Sequence, residues 1–456
     1  MENFDVIVIG GGPAGYLAGE RAGAAGLHAA VIEKRALGGV CLNEGCIPSK
    51  TLLNSAKIFD YALHGSKYGV TTTGASIDHA AVVRRKDKVV KKLVAGIGAK
   101  LKHHKVTVVA GVAAIVGKEN GTYLVKVGEN ELLSAPKLLI AAGSIPLLPP
   151  IPGVKEGLES GFVVTSREIL DLTEPPEELV VVGGGVIGLE MASYFATIGC
   201  KVSVVEMLDK IAGPTEGEVS AALQKALAEK GIAFHLGCRV TSVENKKVTF
   251  EGKEGSASIH TDKVLLSIGR CAAADGLGLD SIGVHTERGA IVTDQHMQTN
   301  VAGVYAAGDI NGKSMLAHTA YREAEVAVNH MLGKRDVMRY HAIPSVIYTT
   351  PEVAGVGETE ETAAQKGIPV KVAKLPMSYA GRYVAEVERG EGFCKLIMDT
   401  RHHCLVGAHI IGSYASEIIY GAGQMIENET PVDELKELVF PHPTVSEIIR
   451  ETLFEL

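Results

Sequence analysis

The chain of 456 residues contains no tryptophan and only seven cysteines. So few cysteines in so long a chain cannot build a disulfide framework, and the odd number leaves at least one outside any intrachain pair, which points to a reducing compartment. A surplus of basic charge is also lacking. Lys and Arg number 45 against 53 Asp and Glu, a formal charge of −8, the wrong sign for a chain whose main partner is nucleic acid or an anionic membrane. Long apolar runs are missing too: none approaches the ~18 residues of a spanning helix. Met1-Glu2-Asn3-Phe4-Asp5 leads at once into an apolar run, without the basic or signal-like stretch of a targeting segment. The expectation is a cytoplasmic protein with neither nucleic acid nor membrane as partner. A composition of 46% hydrophobic and 21% charged residues excludes disordered and fibrous classes, and roughly 150 residues per domain predicts about three globular units.

Glycine, by contrast, is abundant: 53 residues of 456 exceed the usual ~7%. The first cluster follows the β-branched run Val6-Ile7-Val8-Ile9 and sets Gly10, Gly12 and Gly15 at the G-x-G-x-x-G spacing. Tyr16 to Gly26 reads as helix, and His28 to Ile32 as a second strand ending at Glu33, 23 positions beyond Gly10. In such a unit the glycines let the backbone approach a pyrophosphate at the helix N-terminus, and the acid accepts hydrogen bonds from an adenosine ribose. The unit recurs after Val180-Val181-Val182, with Gly183, Gly185 and Gly188, and Glu206 again stands 23 positions on. Two copies predict two dinucleotide sites. The plainer reading, glycines that only tighten two turns, leaves the repeated acid unexplained. Met207-Leu208-Asp209 follow Glu206 with no arginine to receive a 2′-phosphate, which favours NAD over NADP at the second site; Lys201 and Lys210 argue the other way.

Between the two units, Cys41 and Cys46 have four residues between them. A bridge needs Cα atoms within about 7 Å, whereas five residues of regular helix rise about 7.5 Å, so pairing requires a distorted turn that Gly45 and Pro48 can supply. A crosslink closing so short a loop adds little stability, and C-x4-C without a second pair is poor zinc spacing. The residues alone leave three readings open: a redox-active pair, which is favoured, two unlinked thiols, or a metal site. Cys200, Cys238, Cys271, Cys394 and Cys404 share no spacing and read as buried thiols.

Two nucleotide units with Gly38-Gly39-Val40-Cys41-Leu42-Asn43-Glu44-Gly45-Cys46-Ile47-Pro48-Ser49-Lys50 after the first make the chain resemble, along its whole length, the flavin-dependent pyridine nucleotide-disulfide oxidoreductases. Within them it is similar to the members that oxidise dihydrolipoamide; relatives of the glutathione reductase type usually carry Val-Pro-Lys-Lys where this chain has Ile47-Pro48-Ser49-Lys50. The resemblance implies FAD at the first site, NAD at the second, and a redox-active Cys41–Cys46 disulfide. It implies an α/β fold of two nested Rossmann-like dinucleotide-binding domains plus an α+β C-terminal dimerisation domain. Residues 1–145 and 269–336 would form the FAD-binding domain, 146–268 the NAD-binding domain and 337–456 the dimerisation domain. Implied cofactor contacts are Gly10, Gly12, Gly15, Glu33, Lys50, Gly143, Asp309 and Ala317, and Gly183, Gly185, Gly188, Glu206 and Gly269. Asp309 closes a segment similar to the family's second FAD motif, where it would hold the ribitol chain; a strand ending in a plain Gly-Asp turn is the alternative. Cys41 would meet the substrate, Cys46 would lie nearer the flavin, and Lys50 with Glu190 as its partner would tune the flavin's charge.

The last motif is Phe440-Pro441-His442-Pro443-Thr444-Val445-Ser446-Glu447. Thiol chemistry near neutrality needs a base, since a free thiol titrates near 8.5 and histidine near 6.5, and His442 is the natural candidate. Thr444 and Glu447 also fit a capping box. The resemblance matches His442 to the family's base and Glu447 to its orienting acid, acting on the opposite subunit of a homodimer. Implied partners are dihydrolipoamide on a lipoyl-bearing protein and docking to a 2-oxo acid dehydrogenase or glycine cleavage complex.

Three places depart from the family pattern: Cys271-Ala272-Ala273-Ala274 after Gly269-Arg270, where relatives often continue with proline and asparagine; Phe440, where many carry another histidine; and Ala141-Ala142-Gly143, where Ala-Thr-Gly is common. An NADPH-dependent disulfide reductase would want basic residues soon after Glu206. A flavoprotein scaffold without turnover would have lost Cys41, Cys46, His442 or Lys50. The pairs His103-His104 and His402-His403 do not face one ligand on a regular element, and no metal is expected. Arg84, Arg85, Lys86, Lys88, Lys91 and Lys92 read as the solvated face of a helix whose other face is Val90, Leu93, Val94, Ile97 and Leu101.

Overall fold

The computed structural model describes residues 1–244, 246–387 and 390–456. They form two compact units, one of Met1–Thr51, Val83–Leu147 and Gly269–Arg339, the other of Leu52–Val82, Leu148–Ile268 and Tyr340–Leu456. Short β-branched runs that are apolar on both faces make parallel strands with helical crossovers. In the first unit Val6–Ile9 is buried at every position and lies at the centre of a parallel sheet ordered Val304–Ala306, Leu138–Ile140, Val6–Ile9, Ala29–Glu33, Thr107–Ala110. Helix Pro13–Ala24 is the first crossover, with proline in its opening turn.

The second unit repeats the design with Val163–Val164, Lys263–Leu266, Glu178–Val182, Lys201–Val205 and Ala233–His235, again all parallel, and helix Val186–Thr197 as the crossover. Its C-terminal part is an antiparallel sheet ordered Ser345–Ile347, Val353–Gly357, Cys404–Ile411, Phe393–Asp399, Val370–Pro376. Helices Ala415–Glu427 and Glu447–Phe454 bury Ile419, Ile426, Ile448 and Leu453 in the same core as Leu396 and Ile410. The α/β class, with parallel sheets and an α+β C-terminal part, is the one the motifs imply. Among the described residues no helix is long and apolar enough to cross a membrane.

The basic helix differs from expectation at two positions. In helix His79–His103, Lys86 is buried and pairs with Asp87 at 2.9 Å, whereas Leu93 is 40% exposed. Another lysine is buried by its setting. Lys395, in the inner strand Phe393–Asp399, directs its ammonium to Glu216 at 2.9 Å, Glu360 at 2.7 Å and Glu218. Burial alone would lower its pKa, but the three carboxylates outweigh it and hold it above the usual range. Those three are the cluster of metal-ligating type found among the described residues, and the ammonium already neutralises it. Lys395→Met should lower stability by about 3 kcal/mol or more in urea unfolding, because it strands the buried Glu216 carboxylate without a counter-charge.

Candidate active site

Each glycine turn is closed by its own acid. Gly10 has φ +105°, and a Cβ there would lie 2.3 Å from the Ala141 carbonyl oxygen; a Cβ on Gly15 would lie 1.7 Å from the Gly10 oxygen. No other residue fits either place. Glu33 accepts the Gly11 amide at 2.7 Å through one carboxylate oxygen and the Arg35 amide at 2.7 Å through the other. The second turn reproduces this: Glu206 accepts the Gly184 amide at 2.6 Å and the Leu208 amide at 2.8 Å. Neither helix Pro13–Ala24 nor Val186–Thr197 has a side-chain cap, which leaves the first-turn amides for phosphate oxygens. Both turns therefore fit a dinucleotide, with glycines Gly10, Gly12 and Gly15 in one and Gly183, Gly185 and Gly188 in the other. The two lysines that argued for NADP are engaged elsewhere, Lys201 with Glu178 at 2.7 Å and Lys210 with the Thr215 carbonyl at 2.8 Å.

The cysteines sit where the helix breaks. Helix Gly39–Glu44 ends at Gly45, with φ −149° and ψ −107°, and helix Cys46–Leu63 begins at once. That break is the distorted turn regular helix lacks, and Pro48 occupies the new helix's first turn, where its missing N–H costs nothing. The side chains of Cys41 and Cys46 hydrogen-bond to each other. This bond, burial and the neighbouring Cys46 charge push the Cys41 thiol well up, while Lys50, one turn further on, opposes them. The pair holds one proton in preference to two negative charges. Tyr16 and Tyr321 hydrogen-bond hydroxyl to hydroxyl, and both lie within electrostatic reach of both cysteines. No spacing in the sequence points to Tyr321.

Asp309 follows Gly308 at the end of strand Val304–Ala306. The fully buried Glu323 accepts the Gly308 amide at 2.6 Å and the Asn311 side-chain amide at 2.9 Å, and Asp309 itself accepts the Ser144 hydroxyl at 2.5 Å. Sequence reading missed Glu323 and Ser144; a glutamate on the same helical face as Ala320, Val326 and Ala327, nearly two turns past Ala317, was the available signal for the first. The divergent segment is ordered: strand Arg270–Ala272 pairs antiparallel with Ser144–Pro146. Gly143 accepts the Ala273 amide at 3.0 Å and Gly269 the Leu147 amide at 3.0 Å. Ala317 opens helix Ala317–Met331, also without a side-chain cap.

In the second unit, His442 Nδ1 lies 2.8 Å from Glu447 Oε1, and Glu447 Oε2 accepts the Thr444 amide at 2.9 Å. These two contacts, the Thr444 amide foremost, hold the Glu447 carboxyl below its usual range. Only half of a capping box forms, because the Thr444 hydroxyl turns to the Pro441 carbonyl and the Ser446 hydroxyl. The His442 side chain is 76% exposed, so its Nε2 edge is open. Phe440 packs against the core of the antiparallel sheet, where a histidine would have to bury polarity. Glu190 is buried in helix Val186–Thr197 and accepts the Tyr348 amide at 3.0 Å.

Of the remaining cysteines, Cys394 and Cys404 are buried, but Cys200, Cys238 and Cys271 are only half-buried. Burial pushes the Cys394 thiol up to about 12 and the Cys200 thiol up to about 11. Iodoacetamide applied to the native chain at neutral pH is therefore expected to leave Cys394 unlabelled, as peptide mapping would show.

Residues 4–324 match the family model described as pyridine nucleotide-disulphide oxidoreductase, and residues 343–453 match that family's dimerisation domain. The chain is 40% identical over 457 residues to a dihydrolipoyl dehydrogenase of Chlamydia muridarum (strain MoPn / Nigg), covering 99% of this chain and 96% of the relative. It is 38% identical over 456 residues to the mitochondrial dihydrolipoyl dehydrogenase of Pisum sativum, covering 98% and 90%. Among solved structures, LpdA from Mycobacterium tuberculosis superposes with a TM-score of 0.90 at 25% identity, covering 100% of this chain and 99% of the other. The HOCl-induced flavoprotein disulfide reductase RclA from Escherichia coli gives 0.86 at 26% identity, covering 99% of each.

Proposed function

The chain belongs to the pyridine nucleotide-disulphide oxidoreductase family, and from that premise we propose that it has dihydrolipoyl dehydrogenase activity: dihydrolipoamide and NAD⁺ give lipoamide, NADH and a proton. Full-length relatives with that activity in their names support the reading. The observation that carries it is the hydrogen-bonded Cys41 and Cys46 at a helix break, with Lys50 beside them. Gly10, Gly12, Gly15, Glu33, Lys50, Gly143, Asp309 and Ala317 would hold FAD, which when bound would supply two-electron redox chemistry between the cysteine pair and NAD⁺.

His442, oriented by Glu447, removes a proton from one substrate thiol, and the thiolate attacks Cys41 of the Cys41–Cys46 disulfide. The disulfide bond breaks as the mixed disulfide forms, and Cys46 leaves as a thiolate. The second substrate thiol then displaces Cys41, closing the lipoamide disulfide; its proton passes to the departing Cys41 sulfur, while His442 keeps the first proton until it is released to solvent. The Lys50 ammonium stabilises the negative charge left on the pair. Gly183, Gly185, Gly188, Glu206 and Gly269 would hold NAD, and Glu190, in helix Val186–Thr197, accepts the Tyr348 amide.

The family's dimerisation domain supports a homodimer, in which His442 serves the partner's cysteines. The substrate is carried on a lipoyl-bearing protein of a cytoplasmic 2-oxo acid dehydrogenase or glycine cleavage complex. Anaerobic NADH formation with dihydrolipoamide tests the assignment. NADP⁺ in place of NAD⁺ is expected to react at least about tenfold more slowly, since the fixed Glu206 carboxylate repels a 2′-phosphate. Turnover with NADPH and glutathione disulfide but not with dihydrolipoamide would overturn it.

A further inference from the structure

Asp309 is fixed at two levels. Glu323, through the Gly308 amide and the Asn311 side chain, sets the backbone of the turn, but this does not decide where the Asp309 carboxylate points. Its direction comes from Ser144, whose Oγ lies 2.5 Å from Asp309 Oδ2. A serine hydroxyl carries one proton and rotates freely. Here Arg270 Nε donates to the same Oγ at 2.7 Å, and Arg270 Nη2 donates to the Ser144 carbonyl at 2.8 Å. The guanidinium therefore occupies the acceptor side of the hydroxyl and leaves its proton to Asp309. The ladder pairing Ala272 with Ser144 and Arg270 with Pro146 holds the arginine in reach, and the chain achieves this with Cys271-Ala272-Ala273-Ala274 in place of proline and asparagine. Arg270 also lies within electrostatic reach of Asp309 and of Glu44, at the end of the Cys41 helix.

We propose that Ser144 and Arg270 are positioning residues for FAD: a guanidinium, hydroxyl, carboxylate relay that satisfies Asp309 Oδ2 from the protein side and presents Oδ1 to the ribitol hydroxyls. The inference rests on the reading of the first site as an FAD site. It assigns no contact between FAD and either residue; both act through Asp309.

The test is FAD binding by the full chain, stripped of flavin and titrated with FAD by fluorescence, so that no turnover is involved. Ser144→Ala is expected to weaken binding about tenfold, the loss typical of one hydrogen bond to a charged group. Arg270→Lys, which keeps the charge but cannot make both bonds to Ser144, should weaken it several-fold and carries the test if Ser144→Ala folds poorly. In an Asp309→Ala background, where the glycine turn still binds the dinucleotide, neither change should weaken binding further, because its route of action is gone. A general structural role would instead cost the same factor in both backgrounds, and would overturn the relay. So would Ser144→Ala and Arg270→Lys chains that bind FAD as the parent does. A parent chain that takes up no FAD would overturn the reading of the site itself.

Discussion

Cys41→Ser is expected to reduce dihydrolipoamide-dependent NADH formation about a thousandfold or more, a loss of the size that follows removal of a catalytic nucleophile. A serine oxygen cannot form the disulfide that accepts the substrate's electrons, so no second route remains for the pair. Cys46→Ser should do the same. Neither change should unfold the chain: each replaces one atom, Cys41 and Cys46 are only half-buried, and the break at Gly45 that brings them together is a backbone feature. FAD binding should survive both substitutions, because most residues assigned to it lie in the glycine turn and around Asp309, and a single-atom change at Cys41 or Cys46 leaves Lys50 in its helix. Purified Cys41→Ser protein that is yellow, folded and inactive is the predicted phenotype, read by flavin absorbance, circular dichroism and the NADH assay together.

His442→Gln is expected to lower kcat by about 10²- to 10⁴-fold, the usual contribution of a positioned general base, with a smaller effect on KM. A free thiol titrates near 8.5, so at neutral pH most of the substrate is protonated, and the Cys41–Cys46 disulfide it attacks has no group to take that proton; the substrate thiol needs an external acceptor. Glu447→Gln should cost less, about tenfold, since an amide oxygen can still accept from His442 Nδ1 but no longer stabilises the imidazolium. Its own depressed pKa keeps Glu447 ionised, and its stabilising contribution is fully present above the ordinary carboxylate range and lost as pH falls through the lowered value. A Glu447→Gln chain should therefore lose less stability on acidification than the parent, which pH-dependent urea unfolding would reveal.

Much of this architecture is legible in the sequence because local rules and global fold agree. Val6-Ile7-Val8-Ile9 and Val180-Val181-Val182 are buried parallel strands for the same reason that they are apolar on both faces, and Glu33 and Glu206 reach back to their glycine turns at the offset their spacing gives. Gly45 and Pro48 mark the distorted turn that pairing of Cys41 and Cys46 needs, and the helix breaks there, whereas the redox role comes from the resemblance. What could not be read are contacts between distant segments. Tyr16 meets Tyr321 across 305 positions, Ser144 meets Asp309 across 165, and Lys395 meets Glu216 across 179; no periodicity encodes such pairs. Lys86 misled because helical spacing gives a face for the average residue, while the neighbouring Asp87 carboxylate lets one lysine lie in the buried part of the helix. His442 and Glu447 were named by motif, and the structure adds that Glu447 serves both the ring and the Thr444 amide.

The most direct test of the central claim is a thiol count through one half-reaction. The protein is mixed anaerobically with stoichiometric dihydrolipoamide in the absence of NAD⁺, alkylated and mapped by mass spectrometry. Two new labels are predicted, on Cys41 and Cys46, and both should disappear when NAD⁺ is added before the alkylating reagent. Labels that appear on other cysteines, or that never respond to the substrate, would contradict the assignment of these two residues as the pair through which the electrons pass.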